Sequence, residues 1–239
     1  MKKINGLIFI SMISILVISC KKITLIGEGP IVTQDRILNN YSGVNLRCNA
    51  ELIFREDANY SIKIMAQQNI LDAMITEVEG SNLVIRYKND VQVSSHERIT
   101  IMVTGPAANS LRISGIGNIK TLDPIHPTIL DLDISGSGNI NLNSVTTNYI
   151  SANISGSGNI IIGGGSSGEE KLNISGSGNM NLADIITNRV TTNTSGSGTT
   201  RVNATQLLDV TISGSGSVYY KGNPAINTHT SGSGSIIHL

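Results

Sequence analysis

A heptapeptide, ISGSGNI, occupies residues 134–140, and close copies begin at residues 154, 174, 194, 212 and 230. The first serine of each Ser-Gly pair falls at Ser114, Ser135, Ser155, Ser175, Ser195, Ser213 and Ser231, with spacings of 21, 20, 20, 20, 18 and 18 residues. A period near 20 residues marks stacked coils, each too small to bury an apolar face alone. The phase inside the repeat narrows the choice further. From Asp131 to Asn143 one parity reads Leu132, Ile134, Gly136, Gly138, Ile140, Leu142, and the other is wholly polar, from Asp131 and Asp133 through Ser135 and Ser137 to Asn143. The same alternation returns at Leu172–Leu182 and Val210–Val218. A period of two sustained this long defines a half-buried strand and excludes a helix.

The glycines fall on the inward parity, where a missing side chain and access to positive φ allow a sharp bend or a close approach of backbones. Gly115 and Gly117, Gly136 and Gly138, Gly156 and Gly158, Gly176 and Gly178, Gly196 and Gly198, Gly214 and Gly216, and Gly232 and Gly234 are therefore read as coil corners. With coils about 4.8 Å apart, the seven serines and Asn118, Asn139, Asn159 and Asn179 should stack as polar ladders on the outside. Further core positions are expected at Val145, Ile150, Ile185, Ile186, Val190, Leu207, Leu208 and Val210. The segments at 123–127, 163–170 and 221–224 read as surface loops.

Composition agrees with an all-β chain: two Phe, six Tyr and no Trp accompany abundant Gly, Ser, Thr, Asn and Ile. The fold expected is a right-handed parallel β-helix-like solenoid of about seven coils of ~20 residues, at residues 111–239. A β-rich region at 37–110 precedes it and covers its open end, where unpaired strand edges need protection. Within that region QNILDAMITEVEG has room for a short helical turn before the chain returns to strand.

The first 22 residues carry a basic start at Lys2 and Lys3 and an apolar stretch from Leu7 to Ile18, too short for an ordinary membrane span. The stretch ends in Val17-Ile18-Ser19-Cys20, which resembles a bacterial lipobox. On that reading residues 1–19 are a signal peptide, Cys20 is lipidated, and residues 20–36 form the lipidated N-terminus and linker. Lys21-Lys22 supplies no aspartate of the inner-membrane retention kind, so an outer-membrane, lipid-anchored envelope protein is expected, facing either side. Cleavage removes two of the 17 basic residues and none of the 17 acidic ones, which argues against nucleic acid as a partner. Cys48 is then the remaining thiol, without an intrachain partner, and is read as a buried apolar residue.

Catalytic and cofactor readings fit poorly, and no cofactor is expected. A phosphate loop needs a lysine and a helix after its glycines, and neither follows here. Calcium β-rolls need an aspartate where this repeat has Asn or Ser. Asp131 and Asp133 share the outward parity, but the equivalent positions are Ser151 and Asn153, then Lys171 and Asn173, so no carboxylate cluster builds up for acid and base roles. His96, His126, His229 and His238 are scattered, and seven equivalent serines describe architecture rather than one nucleophile.

The stretches YSGVNLRCNAELIFREDANYSIKIMAQQNILDAMITEVEGSNLVIRYK and ITIMVTGPAANSLRISGIGNIK, followed by the ISGSGNI series, resemble the putative auto-transporter adhesin, head GIN domain family, from about Ile37 to Leu239. The resemblance implies a secreted or lipid-anchored bacterial protein with a β-helix-like fold, and it brings no catalytic residues. The expectation is a non-enzymatic, adhesin-like interaction surface; the alternatives are a polysaccharide-degrading β-helix enzyme or a structural lipoprotein. Expected partners are the membrane through the lipid on Cys20, an unknown protein or glycan, and a further copy of the chain through the C-terminal coil. Tyr149, Tyr219 and Tyr220 are the aromatic candidates for stacking on a sugar.

Overall fold

A computed structural model describes residues 23–239; residues 1–19, expected to be a signal peptide, and Cys20 lie outside the described residues. Before the repeats come β1 (Ile23–Ile26), β2 (Ile31–Arg36), β3 (Gly43–Arg47), β4 (Glu51–Glu56), β5 (Ser61–Gln67), α1 (Gln68–Ala73), β6 (Met74–Glu79), β7 (Asn82–Tyr87), β8 (Val91–Ser95) and β9 (Thr100–Gly105). The repeats supply β10 (Ser110–Gly115), β11 (Asn118–Thr121), β12 (Ile129–Gly136), β13 (Asn139–Leu142), β14 (Val145–Gly156), β15 (Asn159–Ile162), β16 (Gly165–Gly176) and β17 (Asn179–Asn181). The last are β18 (Ile185–Gly196), β19 (Thr199–Gly214), β20 (Ser217–Lys221), β21 (Ala225–Gly232) and β22 (Ser235–His238).

Alternating apolar residues make every repeat strand one-faced, and parallel stacking joins those faces into one core. On one sheet Leu83, Val44, Leu111, Leu132, Ala152, Leu172, Thr192 and Val210 lie in register. On the other sheet the column runs Ile101, Leu52, Ile119, Ile140, Ile160, Met180, Thr200 and Val218. Each fully buried branched side chain in such a column contributes about 1.5–3 kcal/mol of transfer free energy. The solenoid has about six turns, slightly fewer than the seven coils expected.

The region before the repeats does more than cover an end. β3 pairs in parallel with both β7 and β10, and β4 with both β9 and β11. The β3–β4 unit is thus itself a coil, inserted between the β7–β9 unit, which follows it in sequence, and the first repeat. Beyond β7 and β9 the direction reverses: β6 runs antiparallel to β7, β5 to β9 and β2 to β5. Between β5 and β6, α1 buries Ile70 and Leu71 against the core, and Arg36 Nη2 donates to the Leu71 carbonyl at 3.1 Å. One continuous core runs from Tyr41 to Val218.

Three local expectations differ from the structure. Leu207 is only half-buried, because its neighbour Leu208 takes the inward position. Ile186 is 58% exposed, because Ile185 and Thr187 take the inward positions on either side of it. The segment at 163–170 is only briefly a loop: β16 begins at Gly165, and Glu170 is fully buried in line with Ile150 and Val190.

Candidate functional site

At each repeat corner the two glycines have different duties. The first, from Gly115 through Gly136, Gly156, Gly176, Gly196 and Gly214 to Gly232, has φ between 117° and 130°, a region that L side chains avoid. The second faces inward: a Cβ on Gly138, Gly158, Gly178 or Gly198 would stand 2.6 Å from Cγ2 of Ile113, Ile134, Ile154 or Ile174 in the preceding coil. Gly117 and Gly216 are buried in the same way, against Leu46 and Thr194, and Gly234 stands against Ile212. Alternation alone places both glycines inward, but positive φ rotates the first out of that parity, leaving it partly exposed.

The polar columns differ in kind. Ser114, Ser135, Ser155, Ser175, Ser195, Ser213 and Ser231 are in register, yet among the described residues no side-chain hydrogen bond joins one to the next. Backbone groups pair the corners instead, as where Ser157 N donates to Gly136 O at 2.9 Å and Ser177 N to Gly156 O at 2.9 Å. The neighbouring hydroxyls of Ser215 and Ser233 do meet across one coil step, at 3.1 Å, but only an amide carries a donor and an acceptor on opposite sides, so that one residue can bond both neighbours in a column. The Asn column accordingly bonds: Asn139 Nδ2 donates to Asn118 Oδ1 at 2.8 Å, Asn159 to Asn139 at 2.8 Å and Asn179 to Asn159 at 3.0 Å.

A second amide column, not foreseen from the motif, stands on the other sheet. Asn173 Nδ2 donates to Asn153 Oδ1 at 2.8 Å and Asn193 Nδ2 to Asn173 Oδ1 at 3.0 Å. Its sequence signal was the 20-residue spacing of Asn two positions before the first serine. Between this column and Ser155, Ser175, Ser195 and Ser213 runs an open furrow of about 380 Å³, with Asp133 and Thr211 at its ends and the backbone of Ile154, Ile174 and Thr194 as its floor.

Carboxylates do not converge along this face. Asp131 pairs with Arg112, and partial burial beside Asp131 raises the pKa of Asp133, opposed by the Arg112 guanidinium. Position 133 is followed in register by Asn153, Asn173, Asn193 and Thr211. Among the described residues no group of three His, Cys, Asp or Glu is placed to hold a metal ion. Glu170 is alone in the core; burial pushes its carboxyl up to about 8, and the Thr187 hydroxyl donates to its Oε1 at 2.6 Å. Burial also pushes the Cys48 thiol up to about 12, so it is a packed, unreactive group. Two of the aromatic candidates are engaged: the Arg201 guanidinium lies 4.8 Å from the Tyr219 ring centre, and the Tyr220 and His238 rings are 4.8 Å apart. Tyr149 is half-buried on β14.

These features define a parallel β-solenoid with glycine corners and asparagine columns. The family model described as "Putative auto-transporter adhesin, head GIN domain" matches residues 40–224, and the chain belongs to that family. Among solved structures, a Bacteroides fragilis protein described as a putative adhesin superposes with a TM-score of 0.84 at 22% identity, covering 91% of this chain and 100% of that one. A Parabacteroides distasonis structure described as a putative lipid binding protein gives 0.77 at 25% identity, covering 90% and 99%. A Parabacteroides merdae structure described as a putative adhesin gives 0.73 at 19% identity, with the same coverage. No curated protein matches this sequence.

Proposed function

We propose that the chain is a non-enzymatic, adhesin-like protein of the bacterial envelope, anchored in the outer membrane through a lipid on Cys20. The observation that carries this reading is the furrow beside Asn153, Asn173 and Asn193. Its amides are held by one another at a fixed repeat, so little conformational entropy is lost when a partner docks. Two experiments test it. Protease treatment of intact cells should remove the protein, and complete protection sinks the adhesive role. Replacing the three asparagines with alanine should reduce attachment of purified protein to its target surface, whereas the same change at Asn139 and Asn159 on the other sheet should not.

A second reading, contact with lipid, is favoured by an apolar furrow of about 270 Å³ that includes Ile53, Phe54, Met102, Val103 and Leu122, together with the description of the Parabacteroides distasonis relative. Titration with a fluorescent fatty acid decides it: saturable binding weakened by Met102→Asp supports lipid contact, and absence of binding removes it.

A further inference from the structure

The edge that carries the glycine corners is interrupted once. The β3–β4, β10–β11 and β12–β13 corners take no more than three residues, but β7 reaches β9 through the twelve residues from Lys88 to Ile99. This insertion forms a flap whose strand β8 pairs with β1. It is fastened where Gly27 N donates to Ser95 O at 2.8 Å and where Glu97 N donates to Gln67 Oε1 at 3.1 Å. The flap, the β3–β4 corner and the β10–β11 corner enclose a cleft of about 370 Å³, within the usual range for small-molecule sites. A smaller depression of about 220 Å³ adjoins it and shares Asn49 and His96.

Polar groups here lack the mutual satisfaction seen in the asparagine columns. The Tyr87 hydroxyl is buried without a hydrogen-bond partner. The side chains of Asn49 and Ser95 make no hydrogen bond within the described residues. His96 Nδ1 lies 2.6 Å from the Glu97 carbonyl; a carbonyl only accepts, so Nδ1 carries a proton, and in the neutral ring Nε2 is an acceptor. The nearby charges are spent on each other, since both Arg98 and Lys120 pair with Glu51.

We infer that this cleft binds a neutral sugar, by preference an N-acetylhexosamine. This rests on the adhesin-like reading for its biological meaning but on the cleft alone for its chemistry. Sugar hydroxyls donate and accept at once, matching an amide, a hydroxyl and an imidazole acceptor. Val93, Ile116 and the Tyr87 ring offer apolar surface for the C–H face and the acetamido methyl group. An anion would want a free cation, and a metal ion would want carboxylates, and the larger cleft is lined by neither.

Saturation-transfer NMR on the full chain, with N-acetylglucosamine as probe and glucose and inorganic phosphate as comparators, tests the assignment. The expected result is transfer to the sugar, strongest at the acetamido methyl, with affinity falling roughly tenfold in Asn49→Ala and again in His96→Ala. Asn49 is exposed and His96 half-buried, so both variants should keep their melting temperatures; Ile116→Ser, also at an exposed position, should reduce the methyl signal specifically. Absence of transfer, unchanged affinity in both variants, or displacement of the sugar by phosphate overturns the inference. Attachment by the native chain without any transfer to the sugar removes the cleft and leaves the adhesive reading standing. Sugar contact without any attachment does the reverse.

Discussion

Gly156 and Gly158 are two residues apart and fail differently when changed. Alanine at Gly156 meets an unfavourable φ of 130° and the carbonyl of Gly136; alanine at Gly158 keeps an ordinary φ but meets both the carbonyl of Gly138 and the Ile134 side chain. Each should cost about 1–3 kcal/mol. Replacing Ile134 with alanine, which removes Cγ2, should relieve part of the Gly158→Ala loss and none of the Gly156→Ala loss. Valine, which keeps that methyl, should leave most of the Gly158→Ala loss in place; paired thermal-unfolding measurements will separate these outcomes. Glu170 predicts a pH effect of definite sign. Its ordinary value is 4.5 and its folded value about 8, so between those limits the native state holds a proton that the unfolded chain has released. Stability therefore falls as pH rises from about 4.5 to about 8 and levels off above. Glu170→Gln should flatten that slope, and an unaltered slope in denaturant melts would refute the assignment.

The elements bear out a distinction between stacking and bonding. Asn159 donates to one amide and accepts from another, so Asn159→Ala should cost about 0.5–1.5 kcal/mol. Ser155 sits in an equally regular column without a side-chain bond, and Ser155→Ala should change stability by less than about 0.5 kcal/mol. Equal effects on the two melting curves would mean that the amide column is not a bonded ladder. The columns were readable from the 20-residue period. Which of them bond was not, because that depends on the reach of each side chain across a coil spacing that the letters do not state. Parity was likewise reliable along straight stretches and misleading at Ile186 and at the first glycine of each corner, where a turn resets it.

For the whole molecule, protection from hydrogen exchange should follow the order of coils in space rather than along the chain. β4 is covered on both sides by β9 and β11, whereas every residue of β21 is exposed. The slowest amides are expected in β4, β9 and β11 and the fastest in β21 and β22. A gradient that instead tracks residue number would contradict the interleaved arrangement. This arrangement makes the N-terminal coil dependent on strands far downstream, so that its pairing waits on the closure of long loops.

The sequence by itself determined the strand character, the coil period, the glycine corners and the asparagine column from Asn118 to Asn179, because alternation and repetition are local properties that every copy restates. Only the tertiary structure decided that the β3–β4 coil lies between the β7–β9 unit and the first repeat, that Glu170 is buried, and that the flap from Lys88 to Ile99 meets Asn49 and Ile116 in one cleft. Parallel strands choose partners by shared shape and burial across long separations. A residue's neighbour in the next coil is therefore settled by packing, which no single stretch of sequence contains.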